Sequence, residues 1–179
     1  VEPGQVTGIS VADDSATTVS VTDNTIANLG HDNAIALDLT GLTNTDNVAV
    51  ENNEFDSNGI HINYGGVLSG GDDATSLRNG NTFATLVFNT ANEDDDFENL
   101  NNQQIYGTIG GGINGASADN FVQVTPGTYE ESDLATGDAN VVSTGSAAET
   151  VITGEVGTDD FIDIANNDRV DGFTFEPVD

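Results

Sequence analysis

The stretch VAVENNEF at residues 48–55, followed by NGIHI at 58–62, decides the fold. An equivalent stretch, VSVTDNTI, lies 29 residues earlier at 19–26, and AIAL follows it at 34–37. Valine, valine, asparagine and a final apolar residue occupy the same positions in both copies. Self-similarity at a fixed spacing is typical of stacked repeat proteins, in which each repeat, here called a rung, packs on the next.

Alternating residues within a rung indicate short strands. Val48 and Val50 point to one face of such a strand and Ala49 to the other. Strands stacked about 4.8 Å apart bury a continuous inner column, which predicts an all-β chain folded as a parallel β-helix, or β-solenoid. Asn24 and Asn53 would then lie above one another and form a hydrogen-bonded ladder. Isolated turn asparagines are the alternative interpretation.

The charge of the chain is extreme. It has 31 Asp plus Glu against two basic residues, Arg78 and Arg169, and a formal net charge of −29. Such a surface repels itself in dilute buffer, and the repulsion is screened at molar salt. The acids are scattered among apolar residues, which argues against a disordered acidic tail and predicts a protein adapted to concentrated salt, typical of a halophile. The same charge excludes nucleic acid as a partner.

Three regions follow from the order of patterns along the chain. Residues 1–91 are predicted to contain the rungs described above and a weaker third rung at 77–88. The polar, acidic stretch 92–104 is predicted to be a linker. Residues 105–179 are predicted to start with a short amphipathic helix, because Ile105, Ile109 and Ile113 recur at helical spacing, and then to return to strands.

The second half of the chain carries a family resemblance. A helix at about 105–116, followed by FVQVTPGTYEES, VVSTGSAAETVITG and VDGFTF, resembles the start of a right-handed parallel β-helix of the pectate-lyase-like superfamily. It is most similar to secreted and surface proteins of halophilic archaea. The resemblance implies that the helix caps the solenoid and that residues 6–88 are later rungs. The order departs from that family, since the capping start lies in the second half.

The two ends of the chain suggest a reason for this order. VTGISV at 6–11 looks like a second strand without a first, and VDGFTF at 170–175 looks like a first strand without a second. Either the chain is cut from a tandem array, or each copy docks its last rung on the first rung of the next, and a contact that does not close produces a filament. A monomer with capped or frayed ends is the alternative. The predicted assembly residues are Val6, Ile9, Val11, Val170, Phe173 and Phe175.

These patterns predict a non-catalytic, extracellular structural protein that assembles head to tail into a filament or surface layer. Copies of itself are the expected partner, with surface glycans as a further one. A chain that begins without Met suggests a processed protein or an excised segment, most simply one that has lost a signal peptide. No apolar run approaches the roughly 20 residues that a membrane span needs. The alternative is a carbohydrate-active enzyme, a lyase or hydrolase, or a glycan-binding tail-spike or decoration protein of a virus.

Catalytic residues are not evident. Asp72 and Asp73 form an acid pair in composition only, because they lie in a Gly-rich segment where a solvated surface is the simpler interpretation. His31 and His61 are single residues at or between strands, where a hydrogen-bonded role is more common than catalysis. Neither arginine lies in a catalytic motif of the resembled superfamily, so no catalytic residue is assigned.

Metal binding rests on acidic runs. Carboxylates are the hard oxygen ligands that calcium prefers, but neither run has the spacing of a known calcium loop, and no cofactor is otherwise indicated. Chance clustering on an acidic surface is the alternative. The favoured run is Asp94, Asp95, Asp96 and Glu98, and a second consists of Asp159, Asp160 and Asp163.

Overall fold

In the computed structural model the chain is built mostly of β-strands, which confirms the all-β class. The strands form five sheets, one of eight strands and four of two or three. The structure describes residues 7–11, 19–27, 29, 33–42, 48–56, 58–64, 71–100, 102–155, 160–165 and 168–178.

The first half of the chain supplies nine strands and one helix. They are β1 (Thr7–Ser10), β2 (Val19–Thr22), β3 (Thr25–Ala27), β4 (Ile35–Asp38), β5 (Val48–Glu51), β6 (Glu54–Asp56), β7 (Ile60–Asn63), α1 (Gly71–Gly80), β8 (Thr82–Phe83) and β9 (Val87–Thr90). Equivalent residues of the sequence repeat lie opposite one another on paired strands. β2 lies parallel to β5 with Val19 opposite Val48, and β3 lies parallel to β6 with Ile26 opposite Phe55. β1, β4 and β7 are also parallel.

The second half forms a similar parallel stack. Its elements are β10 (Gln104–Tyr106), α2 (Ile109–Gly115), β11 (Phe121–Val124), β12 (Gly127–Glu130), β13 (Leu134–Ala135), β14 (Asn140–Ser143), β15 (Thr150–Glu155), β16 (Ile162–Asp163), β17 (Val170–Asp171) and β18 (Thr174–Val178). β11, β14 and β17 pair in parallel, as do β12, β15 and β18, and β13 with β16.

The two stacks meet in the eight-stranded sheet, whose order is β1-β4-β7-β10-β9-β11-β14-β17. Three successive pairs at its centre, β7 with β10, β10 with β9, and β9 with β11, are antiparallel. The chain is therefore not one uninterrupted parallel β-helix, and that prediction is wrong. Alternation of apolar residues gives the faces of a strand but not the direction of its neighbour.

The predicted third rung is only partly present. β8 continues the sheet of β3 and β6, with Phe83 opposite Phe55. β9 does not stack on β7, because it pairs with β10 and β11 instead. Leu77, predicted to begin this rung, lies in α1, where it is buried and its carbonyl accepts a hydrogen bond from Asn81 Nδ2 at 2.7 Å.

The predicted helix from Ile105 is wrong at its start. Ile105 is a fully buried strand residue opposite Ile62. α2 begins at Ile109, after Thr108, whose side chain accepts a hydrogen bond from Gly111 N at 3.0 Å. The helical spacing of the three isoleucines does not determine where the helix begins, because the hydrogen bond accepted by Thr108 fixes its first turn.

The stretch 92–104 contains more than a connector. It forms a 3₁₀ turn at Phe97–Asn99 and ends in β10. Phe97 is buried and packs edge to face against Phe88 with ring centroids 5.2 Å apart. This contact ties the acidic segment to the apolar core of the first half. A second core cluster lies around Ile109, Val122 and Ile152 and extends into the first half of the chain, where it includes Ile35, Ile60 and Val87.

Candidate assembly site

One end of the molecule is formed by the outer edges of β1, β2 and β3, here called the N-terminal end face. Within the described ranges each of these strands pairs on one side only. Ile9 stacks on Leu37 and Leu37 on Ile62, both fully buried. Ile9 is only partly buried, so it is the last member of an apolar column. Val11 packs beside it on the same core, and Val6 lies outside the described residues.

The opposite end is formed by the outer edges of β16, β17 and β18, here called the C-terminal end face. Phe175 stacks on Ile152, and Ile152 on Tyr129. Ile152 and Tyr129 are buried, whereas Phe175 is 39% exposed. Phe173, partly buried against the second core, has its ring centroid 6.4 Å from that of Phe175. Val170 is also partly buried, so this end too has an apolar column left open.

The structure does not make the two ends successive strands of one rung. β1 and β17 are the two edges of the same eight-stranded sheet, and residues 170–175 contribute to two strands, β17 and β18. The prediction that each end lacks what the other supplies within a rung is therefore wrong. Each end instead has complete strands whose outer edges have no partner among the residues that the structure describes.

An asparagine ladder runs through the first stack. Asn24 Nδ2 donates to Asn53 Oδ1 at 2.9 Å, and Asn53 Nδ2 donates to Asn81 Oδ1 at 2.9 Å. Asn81 Nδ2 donates to the Val50 carbonyl at 2.9 Å. Sequence reasoning placed Asn24 and Asn53 in the ladder and missed Asn81, which follows a helix rather than a strand.

Backbone turns bring these asparagines inward. Asp23 and Asn52, the residues just before Asn24 and Asn53, have φ of 61° and 59°. Asp and Asn tolerate this left-handed conformation better than other non-glycine residues. The paired turns explain why the sequence repeats an acid or amide followed by asparagine at both positions.

His61 lies inside the first stack rather than at a reactive surface. It is fully buried between the rings of Phe55 and Phe83, at centroid distances of 5.7 and 5.4 Å. Its Nε2 lies 2.9 Å from the Thr85 carbonyl oxygen and its Nδ1 lies 3.3 Å from Asn58 Nδ2, an arrangement that fits a neutral ring with the proton on Nε2. Burial lowers the pKa of His61 to about 4. His31 lies outside the described residues.

Both arginines of the chain line one cleft of about 560 Å³ between the acidic segment and the last rungs. Arg169 donates from Nη1 to Glu93 and from Nη2 to Asp171, each at 2.6 Å, and these carboxylates raise the pKa of Arg169. The Arg78 guanidinium lies 5.2 Å from the ring centroid of Phe97. The two cations thus contact groups of the protein itself.

The predicted metal ligands do not converge. Asp95 accepts hydrogen bonds from Asn92 N and Nδ2, both at 2.9 Å, and Asp96 accepts from Glu98 N at 3.0 Å as the cap of the 3₁₀ turn. Asp94 lines the cleft beside them. Across the described ranges no group of three or more acids or histidines is arranged to hold a metal ion.

The structure places the five remaining acidic candidates to different extents. Asp72 and Asp73 lie in α1 rather than in a loop, and their side chains are not described. Asp163 lies on β16 at the C-terminal end face, with Asp160 shortly before it. Asp159 lies outside the described residues.

Within the part of the chain that the structure describes, no helix is long and apolar enough to cross a membrane. No protein family, curated protein or solved structure matches this chain.

Proposed function

We propose that this chain is a structural protein whose copies assemble end to end through the two end faces, into a filament or a surface layer outside the cell. The observation that carries the proposal is that, among the residues that the structure describes, each end has a strand edge without a partner, and there an apolar column ends in a partly exposed residue, Ile9 at one end and Phe175 at the other. Each parallel stack would be a short β-helix of the right-handed, pectate-lyase-like kind, lengthened by its neighbours.

An unpaired strand edge is a template for another strand, and soluble proteins normally cover or block it. Pairing supplies backbone hydrogen bonds to the edge, and stacking a further apolar residue on Ile9 or Phe175 removes its exposed surface from water. Because the described residues leave a strand edge unpaired at both ends, each copy can contact two others, and such a contact propagates when it does not close on itself.

The charge of the chain makes this assembly dependent on salt. Copies with a net charge of −29 repel one another strongly at low ionic strength. The screening length falls from about 10 Å at 0.1 M salt to about 3 Å at 1 M, so contact between end faces becomes favourable only in concentrated salt. We propose on the same ground that the protein works in a saline, extracellular setting.

Light scattering coupled to size exclusion tests the proposal at 0.1 M and 1 M sodium chloride. The wild-type chain is expected to form polymers at 1 M, and the variants Ile9→Asp and Phe173→Asp are expected not to. Ala118→Asp is the matched control, because it adds the same charge at an exposed turn before β11, in the middle of the sheet. Far-UV circular dichroism should be unchanged in all four proteins.

Two results would contradict the proposal. One is a wild-type chain that stays monomeric at every salt and protein concentration. The other is a chain that polymerises equally well with and without the two end substitutions, since the contact would then lie elsewhere on the surface.

The second candidate is a carbohydrate-active or glycan-binding protein, and the arginine cleft is the observation that favours it. Arg78, Arg169, Gln123 and Thr125 line it together with five acids, and such a set of polar side chains suits the hydroxyl groups of a sugar. The five acids are Glu93, Asp94, Asp95, Asp96 and Asp171. A reducing-sugar assay on acidic polysaccharides in molar salt separates the candidates. Sustained turnover that is lost in Arg78→Gln would favour the enzyme over the structural protein.

A further inference from the structure

We infer that the copies join head to tail, with the C-terminal end face of one copy on the N-terminal end face of the next and β17 antiparallel to β1. The inference rests on the proposed function, because it assumes that the end faces are used. It goes further because it fixes the polarity of the contact and the direction of the paired strands.

The N-terminal end face has lost the acids that the next rung carries. The outer strands β1, β2 and β3 pair with the inner strands β4, β5 and β6. Wherever the inner strand of a pair carries an acid, the residue opposite it on the outer strand is uncharged. The nearest described acid is Asp23, in the turn between β2 and β3. The four pairs, outer residue first, are Ser10 with Asp38, Thr22 with Glu51, Thr25 with Glu54, and Ala27 with Asp56.

The C-terminal end face shows the reverse pattern. Its outer strands β16, β17 and β18 carry three acids, each opposite an uncharged residue of the inner strand. One position is the exception, because the uncharged Val178 lies on the outer strand opposite Glu155 on the inner one. The three acids are exposed. They are Asp163 opposite Ala135, Asp171 opposite Val142, and Glu176 opposite Thr153.

This distribution of charge selects the polarity of the contact. Asp171 is paired with Arg169 within the chain, but two C-terminal end faces brought together would still set Asp163 and Glu176 against acids of the other copy, and like charges directly opposite one another on paired strands are destabilising. A C-terminal end face on an N-terminal one sets its acids against hydroxyl and methyl groups. Contact between unlike ends is therefore the arrangement that lets a strongly acidic chain polymerise.

The sheet topology fixes the strand direction. From β1 to β17 the eight-stranded sheet contains three antiparallel pairs, and all its other pairs are parallel. Three is odd, so β17 runs opposite to β1. A copy displaced along the stacking direction keeps its strand directions, and its β1 therefore meets β17 of the previous copy antiparallel. Antiparallel pairs are slightly more stable per residue than parallel ones.

Variants blocked at one end test the polarity. The N-blocked variant carries Thr7→Asp and Ser20→Asp, at exposed positions whose partners on the inner strands, Ile35 and Ala49, are uncharged, so the fold is expected to tolerate them. The C-blocked variant carries Phe175→Asp. Pro177→Asp, at an exposed position opposite Gly154, serves as a second C-blocked variant should Phe175→Asp lose its far-UV signal.

Light scattering in 1 M sodium chloride should give polymers for the wild type, monomers for each blocked variant alone, and a species of twice the monomer mass for their equimolar mixture. The self-association constant of each variant should fall at least tenfold. Dimers of either variant alone would show contact between like ends and overturn the inference, as would a mixture that stays monomeric. A wild-type chain that never assembles overturns the proposed function itself, which is a distinguishable result.

Engineered disulfides test the strand direction, since the chain has no cysteine of its own. Arg169→Cys precedes β17, while Thr7→Cys and Ser10→Cys mark the two ends of β1. With the strands centred on one another, antiparallel pairing brings residue 169 next to residue 10, and parallel pairing brings it next to residue 7. Oxidative cross-linking between copies should be at least fivefold faster for the 169–10 pair. Faster linking of the 169–7 pair would overturn the antiparallel arrangement.

Discussion

Asn53→Ala removes the centre of the asparagine ladder and should be among the most damaging single polar substitutions in the first stack. Asn53 is 1% exposed. Its Nδ2 donates to the Val21 carbonyl at 2.8 Å and to Asn81 Oδ1 at 2.9 Å. Its Oδ1 accepts from Asn24 Nδ2 at 2.9 Å and from Asn24 N at 3.1 Å. A further bond, from Nδ2 to the Glu51 carbonyl, is longer at 3.2 Å, so four hydrogen bonds of good length and one longer one are lost together.

A buried hydrogen bond contributes about 1 kcal/mol net, and an abandoned buried partner costs as much or more. The four bonds of Asn53 therefore predict a loss of about 4 kcal/mol in the free energy of unfolding. Asn24→Ala is the matched control at the outer end of the same ladder. Its side chain donates two bonds, to Asn53 Oδ1 and to the Thr22 carbonyl, and is only partly buried. About 1 to 2 kcal/mol is expected there.

Urea unfolding followed by far-UV circular dichroism in 1 M sodium chloride measures both values, with the slope m checked for constancy. The N-blocked variant described above keeps the protein monomeric, so that assembly does not add to the measured stability. A loss below about 1 kcal/mol for Asn53→Ala, or equal losses for the two variants, would refute the view that the ladder is a main support of the stack.

Three further predictions concern the interior and the salt response. Burial lowers the pKa of His61 from 6.5 to about 4, so as the pH falls the unfolded chain takes up a proton before the folded chain does. The free energy of unfolding should therefore be at its full value above pH 6.5 and fall by about 3 kcal/mol as the pH drops to 4. His61→Gln should remove this part of the pH dependence. Gly107→Ala should destabilise by at least about 3 kcal/mol, because the added Cβ would overlap the His61 ring and the Asn58 carbonyl oxygen, whereas Gly127→Ala, whose Cβ would meet the nearest ring atom at 3.5 Å, should cost less than about 1 kcal/mol. The apparent assembly constant of the wild type should rise steeply between 0.1 M and 1 M salt and then level off, because the Debye length is already about 3 Å at 1 M.

Each has a clear contrary result. Parallel stability curves for wild type and His61→Gln between pH 6.5 and 4 would mean that the ring is protonated or solvated in the folded state. Equal urea midpoints for the two glycine variants would contradict the close approach at Gly107. Light-scattering mass that falls as salt rises would show that attraction between charges, rather than apolar contact and strand pairing, drives the assembly.

Much of the structure of the first stack could be predicted from the sequence. Val19 and Val48, like Asn24 and Asn53, share positions in the repeat, and repeats of equal length stack in register. Less could be predicted of the centre of the eight-stranded sheet. Val87 alternates like a residue of a stacked strand, yet β9 pairs antiparallel with its neighbours, because alternation is the same for both directions of pairing.

Other features had no local signal. Arg78 and Arg169 are far apart in the chain, and only the packing of the acidic segment against the last rungs brings them to one cleft. The charge pattern of the end faces was present in the sequence, but it becomes visible only when Ser10 is set opposite Asp38 and Thr153 opposite Glu176. These differences between paired strands can be compared only when the register of the strands is known.

Electron microscopy of the wild-type chain in 1 M sodium chloride tests the central claim most directly. Eight strands at about 4.8 Å each give about 38 Å per copy along the sheet. Head-to-tail assembly predicts filaments whose axial repeat is about 38 Å. Isolated particles of single-chain size, or filaments that repeat every two copies at about 77 Å, would contradict the account.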